Sequence, residues 1–459
     1  MAGHSSQLVK KMFLMVALAS AACSGHDIHE SAAPDAAYDL SELEAIAKRF
    51  VNDEWARGIA VALVKGERVE IRGYGMATED GATPDAHTLF EIGSVTKVFT
   101  ALTLATMVSD GVVELEQPVE ELLPATAHVP DHEGKKITLL TLATHSSNLP
   151  VFRSFDTEWE ADWLYSFLSG HALARDPGEQ FEYSSLGMGL LGHALSVRAQ
   201  KPYADIVRER VLVPLGMNHT YVGTIPEGER LADGHDVEGA PVPIPAWGSA
   251  VLAPAIAISS DAADMAAFVH ANLRPPPALR AAILSTQAEY LSRPGGKIGL
   301  GWHIGFEGAP GAHWHNGQTN GYHAFVALDV EKQVGVVVLA NTATRAVDWL
   351  GRALFRMLHG EPPDLGLPRL VAVSREELDR CTGRYEIEPG FELTITRESG
   401  ALFAQITEGA KYRVYPSSET TFHYRVDDAS LDFEMGVDGR AKRVLIQTSD
   451  ETAPADRIE

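Results

Sequence analysis

A serine and a lysine three residues apart, Ser94 and Lys97 in EIGSVTKVFT, are the residue types from which a nucleophile and its base can be built. On a helix, positions three apart share a face, with Cβ atoms about 5–6 Å from one another. A serine hydroxyl attacks poorly until a base takes its proton, and a lysine can do so once its own pKa is lowered. The following VFTALTLATMVSDG is apolar on nearly every face, the mark of a helix buried all round, and Gly111 supplies its stop. A hydroxyl and an amine are therefore expected at the mouth of a central buried helix. Ser-x-x-Lys alone also fits a solvated helix N-terminus, so partners must decide between the two readings.

Two later segments offer partners. FEYSSLG places Tyr183 at a loop-to-helix junction, where a side chain can point into a cleft. A tyrosine acts as a base only when cations lower its pKa, and Lys97 is the expected source of that charge. Tyr165, in the apolar helical DWLYSFL, is a competitor better suited to packing. The second segment is His315-Asn316-Gly317 on the strand-like WHNGQTNGYHAF, where glycine lets a substrate backbone lie alongside. His315 is expected to bind a substrate carboxylate or to tune Tyr183 while titrating in the useful range. His313, His315 and His323 also invite a metal reading. No acidic or cysteine partner stands at ligand spacing, so neither metal nor other cofactor is expected.

Ser94-Val95-Thr96-Lys97, Tyr183-Ser184-Ser185 and His315-Asn316-Gly317, in that order, resemble the three motifs of the serine β-lactamase and penicillin-binding family. The likeness is greatest to its class C branch, whose middle motif is Tyr-x-Asn and whose third is Lys-Thr-Gly or His-x-Gly. LATHSSNLP and PGEQFEYSSLGMGLLG are similar to two further stretches of that family, and the resemblance spans residues 40–355. It implies an acylated nucleophile at Ser94, with Lys97 and Tyr183 shuttling its proton, and an oxyanion hole from the N–H groups of Ser94 and Gln318. It also implies a third-motif cation or donor at His315 and substrate contacts from Ser185, Asn316, Gly317, Gln318 and Asn320. Ser185 replaces the family's amide-orienting asparagine. His315 replaces the lysine of efficient lactamases and is more typical of DD-peptidases, D-aminopeptidases and related esterases. The implied activity is hydrolysis of β-lactam or D-alanyl-type amides through an acyl-enzyme. The alternatives are a carboxylesterase using the same residues and a non-catalytic peptidoglycan- or partner-binding protein.

These side chains need a scaffold. YDLSELEAIAKRFVND has apolar residues at helical spacing, and IAVALVKGERVEIRGYG reads as a hairpin turning at Lys65-Gly66-Glu67. Residues 112–135 are loop-rich; residues 155–270 are mostly helical, with a Pro-rich irregular stretch at 239–255. From residue 298 the period changes to that of strands, and VDWLGRALFRMLHG closes this portion as a helix. The order predicts an α/β (α+β) fold, one antiparallel sheet assembled from both ends of residues 38–360 and flanked by helices, with a helical subdomain inserted. After a Pro-rich linker at 361–369, residues 370–459 alternate with period two and predict a separate antiparallel β module, similar to the lipocalin-like one often appended in this family. Cys381 is expected there as a half-buried strand residue.

The chain has 459 residues, enough for two or three domains, and its 45% apolar and 22% charged content is that of a globular protein. Its 38 basic and 62 acidic residues, net −24, argue against nucleic acid, whose phosphates would be repelled. Lys10 and Lys11 precede MFLMVALASAA, a run of secretory length rather than a spanning helix. A signal peptide over residues 1–22 and a polar linker over 23–37 are expected. Cys23 resembles a lipoprotein attachment site, so the protein is expected in the periplasm or anchored to a membrane by lipid on Cys23.

Overall fold

The computed structural model describes residues 40–151, 160–243, 251–426, 429–448 and 452–459. The expected signal peptide, the residue 23–37 linker with Cys23, and residues 244–250 of the Pro-rich stretch lie outside the described residues. Contacts divide the chain between Leu365 and Gly366 into two units.

In the first unit an amphipathic helix, α1 (Leu40–Asn52), buries Leu43, Ile46, Ala47 and Phe50. The predicted hairpin follows as β1 (Gly58–Lys65) and β2 (Arg68–Gly75), in register from Gly58↔Gly75 to Lys65↔Arg68. Gly66 turns the chain at φ 59°, a conformation glycine reaches without steric cost. The remaining strands of the main sheet come from far along the sequence. They are β3 (Leu291–Arg293), β4 (Gly296–Ile298), β5 (His303–Phe306), β6 (Ala309–Gln318), β7 (His323–Asp329) and β8 (Val334–Ala340). All pairings are antiparallel, in the spatial order β2-β1-β8-β7-β6-β5-β4-β3. The sheet is thus assembled from both ends of the unit, as the period change implies.

Strand parity decides what each face carries. On β7, Ala324, Val326 and Leu328 join the main core with α2 (Thr96–Ser109). Phe325 points the other way, onto α5 (Ala346–Leu358): a Cβ on Gly351 of that helix would stand 2.1 Å from the Phe325 ring. Helix α2 is buried from Thr96 through Met107, as its all-round apolar sequence predicts, and Gly111 ends it at φ 68°. The helical middle includes α3 (Ser185–Ala199), whose Ser184 side chain caps it by accepting from the Gly187 N–H at 2.9 Å. Helix α4 (Ala262–Leu273) is capped by Asp261, which accepts from the Asp264 N–H at 2.7 Å, and packs on β1 and β8.

This unit also departs from the sequence reading, with the first strands of the run starting at Leu291, before residue 298. A helix at Arg280–Gln287 packs on α2. Phe90–Glu91, Ile258–Ser260 and Tyr221–Val222 form a small sheet, and runs of two or three residues are too short to show a period. The Pro-rich stretch contains one helical turn, Ala253–Ile256.

The second unit is a closed barrel of eight antiparallel strands between Gly383 and Arg457, sealed where Tyr385 pairs with Arg457. Alternate residues such as Leu393, Ile395, Phe422, Leu431, Val444 and Ile446 fill it. Closure leaves no unpaired edge. Cys381 is not a half-buried strand residue. It ends a helix, Arg375–Cys381, that starts at a Ser374/Glu377 capping box, and it is fully buried.

Candidate active site

Ser94 lies in a single 3-10 turn, Gly93–Val95, and α2 begins two residues later. The tighter turn still delivers Lys97 to Ser94: Lys97 Nζ donates to Ser94 Oγ at 2.8 Å and to the Ala255 carbonyl at 3.0 Å. Both acceptors are uncharged. Lys97 is 0% exposed, and burial holds its amine well below the ordinary lysine range.

Tyr183 arrives from the residue just before the α3 cap, the predicted loop-to-helix junction. Its ring lies 4.9 Å from Lys97 Nζ. Here one expectation is corrected. Burial pushes the Tyr183 phenol well above its usual range, the opposite of the lowering by Lys97 that a base needs. Tyr165 is held elsewhere, with its hydroxyl 2.7 Å from His193 Nε2.

Strand β6 supplies the third segment, and glycines let it approach the serine turn. A Cβ on Gly317 would stand 2.0 Å from the Ile92 carbonyl and 2.6 Å from Ser94 N. One on Gly93, at φ 50°, would stand 2.8 Å from Gln318 N. Two bare positions thus bring the Ser94 and Gln318 amides close together, the pair the resemblance implies for an oxyanion.

His315 shares the site face of β6 with Gly317. Its Nδ1 lies 2.6 Å from the Asn316 carbonyl and donates to it, leaving Nε2 as a lone-pair acceptor, buried and without a partner among the described residues. Burial, with the nearby Lys97, pushes its pKa down to about 3. His315 is therefore neutral through the physiological range, a second correction to the sequence reading. The metal reading finds no shared centre: His313 Nε2 lies 2.9 Å from the Gln287 carbonyl, while His323 sits on the reverse face against Asp348.

Asn316 is corrected too. Its side chain is on the reverse face, where Nδ2 donates to Asp348 Oδ2 at 2.7 Å, so it is not presented to a substrate beside Ser94. The Gln318 side chain also takes that face, and only its amide borders the serine turn. Ser185 is the buried first residue of α3, and Asn320 is exposed in the link between β6 and β7.

Two histidines complete the site without having been singled out. His145 lies 4.5 Å from Tyr183, ring centroid to ring centroid, and accepts at Nδ1 from the Ser184 N–H at 3.2 Å. Its proton is therefore on Nε2, buried and without a partner among the described residues. His303 stacks on Trp314 at 4.7 Å and lies 5.2 Å from His315. Burial holds both well below the ordinary histidine range. His145 stood within LATHSSNLP, where its backbone turns at φ 54°; His303 had no local signal.

The comparisons agree with this architecture. Residues 43–361 match the β-lactamase family model, and residues 367–457 match a domain of unknown function, DUF3471. A β-lactamase of Pseudomonas fluorescens is 30% identical over 326 residues, covering 62% of this chain and 88% of that protein. A D-alanyl-D-alanine-carboxypeptidase/endopeptidase AmpH of Escherichia coli K12 is 30% identical over 223 residues, covering 46% of this chain and 56% of that one. Among solved structures, an octameric penicillin-binding protein homologue from Pyrococcus abyssi superposes with a TM-score of 0.64 at 20% identity, covering 91% of this chain and 100% of that chain. A class C β-lactamase gives 0.63 at 22%, covering 70% and 95%. The chain belongs to the β-lactamase family, among the relatives of its class C enzymes and DD-peptidases.

Proposed function

We propose that this protein is a serine acyl hydrolase that is acylated on Ser94 and acts on β-lactam or D-alanyl-type amide bonds. The observation that carries the reading is the part-buried Lys97 Nζ to Ser94 Oγ hydrogen bond of 2.8 Å, with the Tyr183 ring 4.9 Å from the same amine. Burial moves the two proton carriers in opposite senses, lowering Lys97 and raising Tyr183, so an amine and a phenol face Ser94. That supports Lys97 as base and Tyr183 as acid. Ser94 Oγ attacks the carbonyl carbon, its proton passes to Lys97, and Tyr183 protonates the departing nitrogen as the C–N bond breaks. Tyr183 is reprotonated from Lys97. Water then cleaves the ester by the reverse relay, with the Ser94 and Gln318 amides holding the oxyanion.

A carboxylesterase with the same residues is the second reading. It is favoured by the neutral His315 in the place of a cationic lysine, and by Ser185 in the place of an asparagine. Intact-protein mass spectrometry after exposure to a penicillin and, separately, to an activated ester tests both. Wild type is expected to gain an acyl mass that Ser94→Ala does not, and the faster reagent separates the readings. An adduct that persists in Ser94→Ala overturns the assignment. The leader-like N-terminus supports export, with a periplasmic or Cys23-anchored product, which the mass of the mature N-terminus distinguishes.

A further inference from the structure

The reverse face of β6 carries a hydrogen-bonded chain that reaches both residues next to the catalytic positions. Asp348 on α5 accepts from Asn316 Nδ2 at 2.7 Å through one carboxylate oxygen, and its other oxygen lies 2.8 Å from His323 Nε2. On the far side of the ring, His323 Nδ1 lies 3.2 Å from Gln318 Oε1, and Gln318 Nε2 donates onward to the Ala343 carbonyl at 3.4 Å. Both ring nitrogens of His323 face side-chain oxygens. Asp348 and His323 are both buried; burial raises the Asp348 carboxyl, and its contact with His323 and the nearby Arg345 and Arg352 bring it below its usual range. Asn316 and Gln318 flank Gly317, and β6 is registered on β7 here through Asn316↔Phe325 and Gln318↔His323.

We infer that Asp348, acting with His323, is a positioning residue that fixes residues 315–318 of β6 and hence the Gln318 amide against the Ser94 turn. The inference rests on the acyl-hydrolase reading above. Gly317 has no side chain to lock its own placement, and β6 must lie close enough that a single added Cβ would collide with Ser94 N. Two side-chain anchors, one on each side of that glycine, supply the rigidity from behind the sheet. A displacement of about 1 Å at such a strand costs on the order of 100-fold in rate.

The test measures acylation by p-nitrophenyl acetate, following p-nitrophenolate release and the acyl mass, in Asp348→Asn, His323→Gln, Asn316→Ala and the Asp348→Asn/His323→Gln double variant. Thermal unfolding shows that each is folded. The Asp348 and His323 single variants are expected to acylate about 10–100-fold more slowly, with half-saturating ester changed by less than about 3-fold. The double variant is expected to be little worse than the poorer single, because the two act as one unit. Wild-type acylation in folded Asp348→Asn, a loss wholly in half-saturation, or effects that multiply in the double variant would each overturn the inference. If Asp348→Asn does not fold, Asn316→Ala, which removes one link alone, decides: a loss of about 5-fold or more supports positioning, and an unchanged rate rejects it. Failure of wild type to label Ser94 at all would instead overturn the acyl-hydrolase reading.

Discussion

Lys97 donates to Ser94 from a position with no solvent exposure and, among the described residues, no carboxylate as a hydrogen-bond partner. A cation is costly in such a place, so the amine is kept where it can accept a proton.

The first prediction concerns stability. The folded-state pKa of Lys97 lies below the 10.5 of an ordinary lysine, so between those values the unfolded chain holds a proton that the native chain does not. Stability contributed by this group therefore rises with pH across that window and is lost as pH falls through the folded value. Lys97→Met is expected to abolish acylation while raising stability at neutral pH by about 0.5–2 kcal/mol, and to flatten the alkaline rise. Thermal unfolding from pH 7 to 10 checks this; an unfolding midpoint lowered at every pH would contradict it.

Tyr183→Phe removes the acid and leaves the ring. A loss of about 10²–10⁴-fold in acylation by an amide substrate is expected, with a smaller loss for an activated ester, whose leaving group needs no proton. Equal losses with both substrates would count against the acid role.

His315 gives a prediction at low pH. Its pKa of about 3 in the folded chain lies under the 6.5 of a free imidazole, so stability is fully present above pH 6.5 and falls as pH drops toward 3. His145 and His303 are shifted in the same sense and add to the slope. His315→Gln should reduce acid destabilisation between pH 6 and 4, as read from denaturant midpoints. An unchanged slope would show that the ring is not buried neutral.

Gly317→Ala places a methyl group 2.0 Å from the Ile92 carbonyl and 2.6 Å from Ser94 N, so β6 must retreat. Acylation should fall by about 100-fold or more. Circular dichroism should remain that of the folded chain, because the shift is confined to a strand end. Full activity would mean that the Gln318 amide is not used.

Much of this was legible because the information is local. Ser94 and Lys97 are three residues apart on one turn, Tyr183 precedes a helix start, and the hairpin at Lys65-Gly66-Glu67 carries its own turn signal. Strand parity was legible too: His315 and Gly317 on one face require Asn316 and Gln318 on the other. The motif resemblance drew Asn316 toward substrate, whereas the alternation points it to Asp348. The direction of the Tyr183 and His315 shifts was not legible, since it depends on burial created by segments far apart in sequence. His303 joins the site only through the pairing of β5 with β6, and no spacing within one segment announces that.

The pairing of β1 with β8 sets an order of events for the newborn chain. Ser94 and Lys97 are synthesised long before the strand beside β1, which is complete only at Ala340. Contacts of such long sequence separation form late and slowly. The hydroxyl therefore emerges more than two hundred residues before the β6 strand, Ala309–Gln318, that comes to lie beside it. A chain cut short before residue 334 is expected to carry the serine and lysine and to gain no acyl mass, which the same mass spectrometry checks.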